Sequence, residues 1–429
     1  MSRAARLTML AVGAVAIVAA IPLVLDFPQS TVAPPDRTPI GATTRASWTP
    51  TVSGERTRRP TEPMDNHTPE LSPAIGGQGG LIIFAMNDDL HERGSAGLFA
   101  TRLGGTPRLI IGSEEDDVSE ACPAFSPDGR LLAYGEVTHR GLNAERAKVV
   151  IVSVDERGDL SPLHRLPGGL FNLPCPEWSP DGSAVAWIDG TQLWVAALDG
   201  APTGFDLSAD RGGYEQDIAW THDSAAIALA LLEQVLLVPV DGSEPRILMS
   251  ARTDGDLREE FHSVAASPTD PMLAVAGAWF RTEPGGVHAQ ESAFLRVLEP
   301  DGLVSLEETG QFMARRPWGT GAPEWSPDGT RLAWGADDGL NMLDVHTGTP
   351  VAIEPGPWRA ERGRPINLAS SVRWSRDGTR LLFIGFSAYE FALASIAVEP
   401  PSDPIVLTDW GFDLYAESGE DLAWQFTSP

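Results

Sequence analysis

Cysteine is scarce in this sequence and lysine scarcer. The 429 residues hold two cysteines, Cys122 and Cys175, and Lys148 is the only lysine. Neither cysteine lies near the N-terminus, which excludes a lipid anchor carried on an N-terminal cysteine. Positive charge is short as well: the formal net charge is −28. Nucleic acid and anionic membrane surfaces would both be repelled, so neither is expected as a partner.

What is abundant is one short pattern. Cys175-Pro176-Glu177-Trp178-Ser179-Pro180-Asp181-Gly182, followed by Ser183 to Trp187, recurs as Phe125-Ser126-Pro127-Asp128-Gly129 and as Trp325-Ser326-Pro327-Asp328-Gly329. Trp374-Ser375-Arg376-Asp377-Gly378 keeps the frame without the proline. In every copy a second aromatic follows nine residues after the first, as in Trp178/Trp187 and Trp374/Phe383. Two apolar runs joined by Pro-Asp-Gly read as an antiparallel hairpin: proline presets φ, aspartate bonds the local backbone, and glycine closes the turn. Hairpins at such spacing predict an all-β fold, a β-propeller of four-stranded antiparallel blades. Innermost strands centre on Phe125, Trp178, Trp220, Ala266, Trp325, Trp374 and Trp424, which makes seven blades over residues 81–429. Leu81 to Met86 matches a second hairpin arm with no first arm before it. Asp421 to Gln425 supplies that arm, so the C-terminal strand is expected to close the ring. Trp220-Thr221-His222-Asp223-Ser224 and Ala266-Ser267-Pro268-Thr269-Asp270 are read as degenerate units that keep the strand pattern and lose the exact turn.

Before the repeats, Arg3 and Arg6 precede an apolar run from Leu7 to Leu25. At about 1.5 Å per residue it is long enough to cross a bilayer core. The charge distribution places the N-terminus in the cytoplasm and the rest outside. Residues 1–25 are therefore expected to be a single-pass transmembrane anchor; a cleaved signal peptide with Val18-Ala19-Ala20 at its end is the competing reading. Residues 26–80, rich in Pro, Thr and Ser, are expected to be a disordered linker.

The motif Pro-x-Trp-Ser-Pro-Asp-Gly-x-x-Leu-Ala-Trp resembles the repeat of TolB-type, WD-like propellers, which also cap prolyl oligopeptidase relatives. The resemblance implies the fold from residue 81 onward and little about function. The N-terminal α/β domain of TolB has no counterpart, so a role in that envelope system does not carry over. The hydrolase relatives need a Gly-x-Ser-x-Gly elbow, and the sequence has none.

An enzyme of the propeller's own would need several His, Asp or Glu converging on the channel. Among the 8 histidines, only His262 precedes an inner strand, His222 falls in a turn at the opposite end, and His139 and His288 fall in loops. No metal, cofactor or catalytic residue is expected. Acids do gather before inner strands: Glu114 to Asp117, Glu120, Glu215, Asp217, Glu259, Glu260, Glu417, Glu420 and Asp421. They read as a cation-binding funnel or, more simply, as a solvated rim. Strand alternation puts the tight turns on one face. The long insertions Gly135–Ala147, Gly277–Ser292, Gly310–Gly321, Gly356–Ala369 and Gly411–Glu420 fall on the other, where binding usually resides. That face gathers Trp279, Arg281, Arg315, Arg316, Trp318, Trp358, Arg359 and Trp410 into one arc of residue types that dominate interface hot spots. The same tryptophans packing beneath their own loops is the plainer reading. Cys122 and Cys175 hold equivalent positions in consecutive blades, and a disulfide is expected in an oxidising compartment. The expected function is a membrane-tethered, extracytoplasmic, non-catalytic module that binds an unidentified protein or envelope ligand. The alternative is a metal-dependent propeller enzyme of lactonase or polyuronide lyase type.

Overall fold

Each Ser-Pro-Asp-Gly segment closes on itself before it meets anything else. In the computed structural model, Ser179 Oγ donates to Asp181 Oδ1 at 2.7 Å and accepts from the Ala184 amide at 3.0 Å. Asp181 Oδ1 takes the Ser183 amide at 2.9 Å, and the Gly182 amide bonds Ser179 O at 2.8 Å. The same bonds recur around Ser126/Asp128, Ser326/Asp328 and Ser375/Asp377. The glycine adopts φ of 68–71° in all four, a conformation that costs glycine no clash with a Cβ. At Gly329 space demands glycine too, since a Cβ there would meet Thr269 Oγ1 at 2.1 Å. The unit at Thr221 departs from the exact turn sequence and keeps its geometry. Thr221 Oγ1 replaces the serine hydroxyl, bonding Asp223 at 2.7 Å, and Ser224 takes the glycine conformation at φ 59°. Only the Ser267 unit is looser, with Ser267 Oγ accepting from Thr269 and Asp270 amides at 3.4 and 3.3 Å.

The structure describes residues 80–87, 96–102, 107–112, 118–140, 143–155, 158–169, 174–207, 216–282, 288–310, 322–336, 339–353, 368–387, 390–399, 405–410 and 422–425. The expected anchor and all of the expected linker except Gly80 lie outside them. Among the described residues no helix is long and apolar enough to cross a membrane.

These hairpins assemble into seven antiparallel sheets, six of four strands and one of five. The inner strands are Val118–Phe125, Glu177–Trp178, Gln216–Trp220, Leu257–Ala266, Glu324–Trp325, Leu368–Trp374 and Leu422–Trp424. The last belongs to the blade begun by Ile82–Asn87 and pairs with it through Ile82↔Trp424, Ile83↔Ala423 and Phe84↔Leu422. The ring therefore closes as the sequence predicts. Gln425 latches the seam: its amide bonds Leu81 O at 2.7 Å, its Oε1 accepts from the Leu81 amide at 3.2 Å, and its Nε2 donates to Gly129 O at 2.6 Å in the next blade.

Neighbouring blades share apolar layers, and the described core falls into one such layer per blade interface. Ile82, Phe84 and Trp424 meet Leu382 and Leu393 across the seam. Trp178 and Trp187 meet Val149 and Ile151 between the second and third blades, and the remaining layers follow the same rule. Indole N–H groups stitch the inner strands together. Nε1 of Trp178, Trp220, Trp325 and Trp374 donates to the carbonyls of Ala124, Glu177, Ala265 and Glu324 respectively, at 3.0–3.1 Å. Each acceptor immediately precedes the aromatic (or Ala266) of the previous blade, so one repeated bond fixes the ring's radius.

Two of the expected long loops are strands instead. Gly135–Ala147 lies almost wholly in the hairpin Leu131–Arg140/Asn143–Val154, and Gly277–Ser292 largely in Leu273–Thr282/His288–Leu298. Buried Val137, and Ala278 and Phe280, which follow Ala276 at the strand period, carry the strands past the point where the sequence reading ended them. The insertions near 310–321, 356–369 and 411–420 lie outside the described residues except at their ends.

Candidate functional site

Every blade contributes to an axial channel of ≈ 490 Å³. Its wall is built from the inner strands and the residues flanking them, among them Pro123, Pro176, Asp217, Ile218, Val264, Pro323, Arg376 and the tryptophans 178, 220, 325, 374 and 424. The residue preceding each aromatic, or Ala266 in the fifth blade, forms a ring in this wall: Ala124, Glu177, Ala219, Ala265, Glu324, Arg373 and Ala423. The carbonyls of four of its members, Ala124, Glu177, Ala265 and Glu324, accept the indole bonds just described. Only Ala423 is fully buried; the other members of the ring are half-buried.

The ring's charges are unevenly placed. Glu324 and Arg373, from adjacent blades, approach to 3.5 Å between Oε2 and Nη1, and Arg373 Nη1 also donates to Val372 O at 2.9 Å. Burial pushes the Glu324 carboxyl above its ordinary range, opposed by the charge of Arg373. Glu177 stands three blades from Glu324 in one direction and three from Arg373 in the other, with alanines between. It therefore faces the pair across the channel.

Among the acids read as a funnel, the described ones have other employment. Glu259 is fully buried, and its carboxylate is taken by Arg296 Nη2 at 2.6 Å, by Arg252 Nη2 at 3.0 Å and by the Arg252 amide at 2.9 Å. Burial alone would raise its pKa, but these bonds hold it below the ordinary value. Arg296 also lies 4.0 Å over the Phe294 ring and reaches Glu307. Asp217 Oδ1 accepts from the Ile218 amide and its Oδ2 from the Val264 amide of the next blade, both at 2.9 Å. Glu260 lies 3.8 Å from Arg258, and Glu120 is buried. The remaining acids of that set lie outside the described residues.

The expected docking arc is only partly on view. Trp279 and Arg281 fall on the extended part of Leu273–Thr282. Arg252 lies 5.6 Å over the Trp279 ring, and Arg281 is paired with Asp256 and, at 2.6 Å, with Glu291. Trp410 ends the strand Ile405–Trp410. Arg315, Arg316, Trp318, Trp358 and Arg359 lie outside the described residues. Cys122 and Cys175 come together as expected, with Cα atoms 5.0 Å apart and sulfurs at bonding distance. His222 sits in its turn, and His262 stands edge-on to Phe280 at 5.7 Å. Among the described residues no three His, Cys, Asp or Glu come together as a metal site would require.

The charged ring escaped the sequence reading because it belongs to no motif. Its signal was the column before the repeated aromatic, where alanine is interrupted by Glu177, Glu324 and Arg373.

No protein-family model and no curated protein matches the sequence. Similar solved structures include a candidate 6-phosphogluconolactonase from Bacteroides uniformis, 16% identical over 80% of this chain and 99% of that one, with a TM-score of 0.51. TolB from Acinetobacter baumannii is 14% identical over 82% of this chain and 68% of its own, with a TM-score of 0.43. The Swd1 propeller domain of Myceliophteria thermophila is 15% identical over 68% and 86%, at 0.45. At such identities the likeness is one of fold.

Proposed function

We propose that the protein is a non-catalytic binding module, held outside the cytoplasmic membrane by the segment Leu7–Leu25 and the 26–80 linker. It takes a protein or envelope ligand on the face where the inner strands begin. The observation that carries this reading is the unequal height of the blades there. Strands Leu131–Arg140 and Leu273–Thr282 have 10 residues, against 6 in Ala184–Asp189 and Ala226–Leu231. All four start at the level of the tight turns, so the surplus projects about 13 Å on the opposite face. Two ridges across a shared face make a cleft, with Trp279 and Arg281 on one of them, and Arg315, Arg316, Trp318, Trp358, Arg359 and Trp410 are proposed to bind on the same face.

The test is to shorten both ridges, replacing residues 138–145 and 281–289 with Asn-Gly turns, and to measure retention of partners from solubilised envelopes. Loss of retention with an unchanged melting temperature supports the reading; unchanged retention sinks it. The anchor is checked by alkaline washing of membranes, which should leave the protein in the pellet. A metal-dependent enzyme of lactonase or polyuronide lyase type makes the opposite forecast for purified protein, namely a stoichiometric bound metal.

A further inference from the structure

The rim of the tight-turn face carries an inference separate from the docking face opposite. A single exposed apolar side chain is ordinary, and Leu109 and Leu163 stand singly on the outer strands of the first and second blades. Three others gather where the fourth and fifth blades meet: Leu303 is 66% exposed, Ile247 53% and Val304 42%. Ile247 lies in Arg246–Ser250, the outermost strand of its sheet, and Val304 opens Val304–Gly310, the outermost strand of the next. The turn 299–303 holds them together. Arg246 Nη2 donates to Pro300 O at 2.6 Å, and Gly302 lies so close to Leu248 that a Cβ would meet its carbonyl oxygen at 2.8 Å. With 300 against 246 and 302 against 248, the turn runs beside the strand, and Leu303 falls in the same surface strip as Ile247. Leu248 and Met249 continue the strip inward to the core between the two blades.

Charge decides the kind of partner. The turn 299–303 carries exposed Glu299 and Asp301, and the turn before Arg246 carries exposed Asp241 and Glu244. Asp301 and Asp241 are held in place by the Leu303 and Ser243 amides, each bonded to Oδ1 at 3.0 and 2.9 Å. Arg246 is the one base of these two turns. From the sixth blade, the turn 344–348 leans on Leu306, where a Cβ at Gly348 would meet Cδ1 at 3.0 Å, and adds Asp344 and His346. A second copy of this chain, at a net charge of −28, would bring like charge to this rim, and so would an anionic membrane. We propose that the patch docks a cationic segment of another protein. A large apolar side chain of that segment sits on Ile247 and Leu303, and its Lys or Arg side chains lie against Asp301, Glu299 and Glu244. An apolar centre with a charged rim is the usual anatomy of an interface, and the rim here selects the sign of the partner.

The experiment titrates the full-length protein with two fluorescein-labelled peptides, Lys-Arg-Leu-Phe-Arg-Lys and Lys-Arg-Ser-Ser-Arg-Lys, and reads anisotropy. The first should bind saturably and at least about tenfold more tightly than the second, or about 1.4 kcal/mol. Ile247→Ser with Leu303→Ser should erase that difference and leave binding of the polar peptide as it was. Glu299→Gln with Asp301→Asn should weaken both peptides and flatten their salt dependence. All four positions are exposed, and an unchanged melting temperature confirms that each variant is folded. Shortening the ridges of the opposite face should alter neither titration, so this patch and the docking face fail separately. Equal binding of the two peptides, an undiminished preference in the Ile247/Leu303 variant, or no saturable signal to roughly 1 mM would overturn the assignment. So would a dimer, seen by sedimentation equilibrium, that the Ile247/Leu303 variant dissociates, because the patch would then serve a second copy.

Discussion

Ser224 does a glycine's work with a serine's side chain. Its φ of 59° is matched by the glycines of the intact turns, where Gly182 has φ 71°. A Cβ in the left-handed region costs about 1–2 kcal/mol. Ser224→Gly recovers part of that and loses the weak exposed bond from the Asp181 amide, 3.2 Å to Ser224 Oγ. A net gain of about 0.5–1 kcal/mol is expected in denaturant unfolding. Gly182→Ala should lose about 1 kcal/mol, because its Cβ would touch only Pro127 Cδ at 3.5 Å and the backbone alone is strained. The sequence hid this turn because serine replaces glycine in identity but not in conformation. Glu259 was misread for a different reason: its partner Arg296 is 37 residues away, and nothing local in the sequence announces a buried pair. Removing its charge with Glu259→Gln leaves buried Arg296 with the half-exposed Glu307 as its remaining carboxylate partner. The expected loss is about 3 kcal/mol, at the low end for a broken buried pair because Glu307 remains, and an unchanged denaturation midpoint would mean the pair is not formed.

At the scale of single elements, the turn fixes both geometry and acid behaviour. Hydrogen bonds from Ser179, Thr221 and Ser326 hold the Asp181, Asp223 and Asp328 carboxyls below the ordinary aspartate value. A depressed carboxyl contributes stability above its unfolded pKa and loses it as pH falls through the folded one. The melting temperature should therefore be insensitive to these groups near neutrality and decline below about pH 4. Replacing all three with Asn should lower the neutral-pH value and flatten that acid limb; an acid limb as steep as before would show that other groups set it. The inner strands Val118–Phe125 and the segment before Glu177–Trp178 hold the two cysteines. A bridge between them is expected to stabilise the ring by roughly 4 kcal/mol. Titration of the unreduced, denatured protein should find no free thiol, and two free thiols would exclude the bridge. The four Asp-Gly turns, the inner strands and the cysteine pairing were legible because each repeats at equivalent positions. The ridges were not, because the sequence reading stopped each strand at the length of its shortest sibling.

At the scale of the whole ring, the described residues close on themselves: the strand Leu422–Trp424 pairs with Ile82–Asn87, and the seven blades surround an axial channel. The sequence disclosed that closure through one tryptophan in register with the others. It did not disclose the channel's chemistry, since side chains meet there from blades far apart in the chain. Closure is also the claim most exposed to test. A chain ending at Glu420 lacks buried Leu422 and Trp424 and the Gln425 latch to Leu81 and Gly129. Losing two large core side chains costs more than about 5 kcal/mol. In a domain of this size that lowers the melting temperature by roughly 10 °C or more. The measurement is thermal unfolding of the truncated and full-length proteins side by side. A drop of that size is the predicted result, and an unchanged melting temperature would contradict the closed ring.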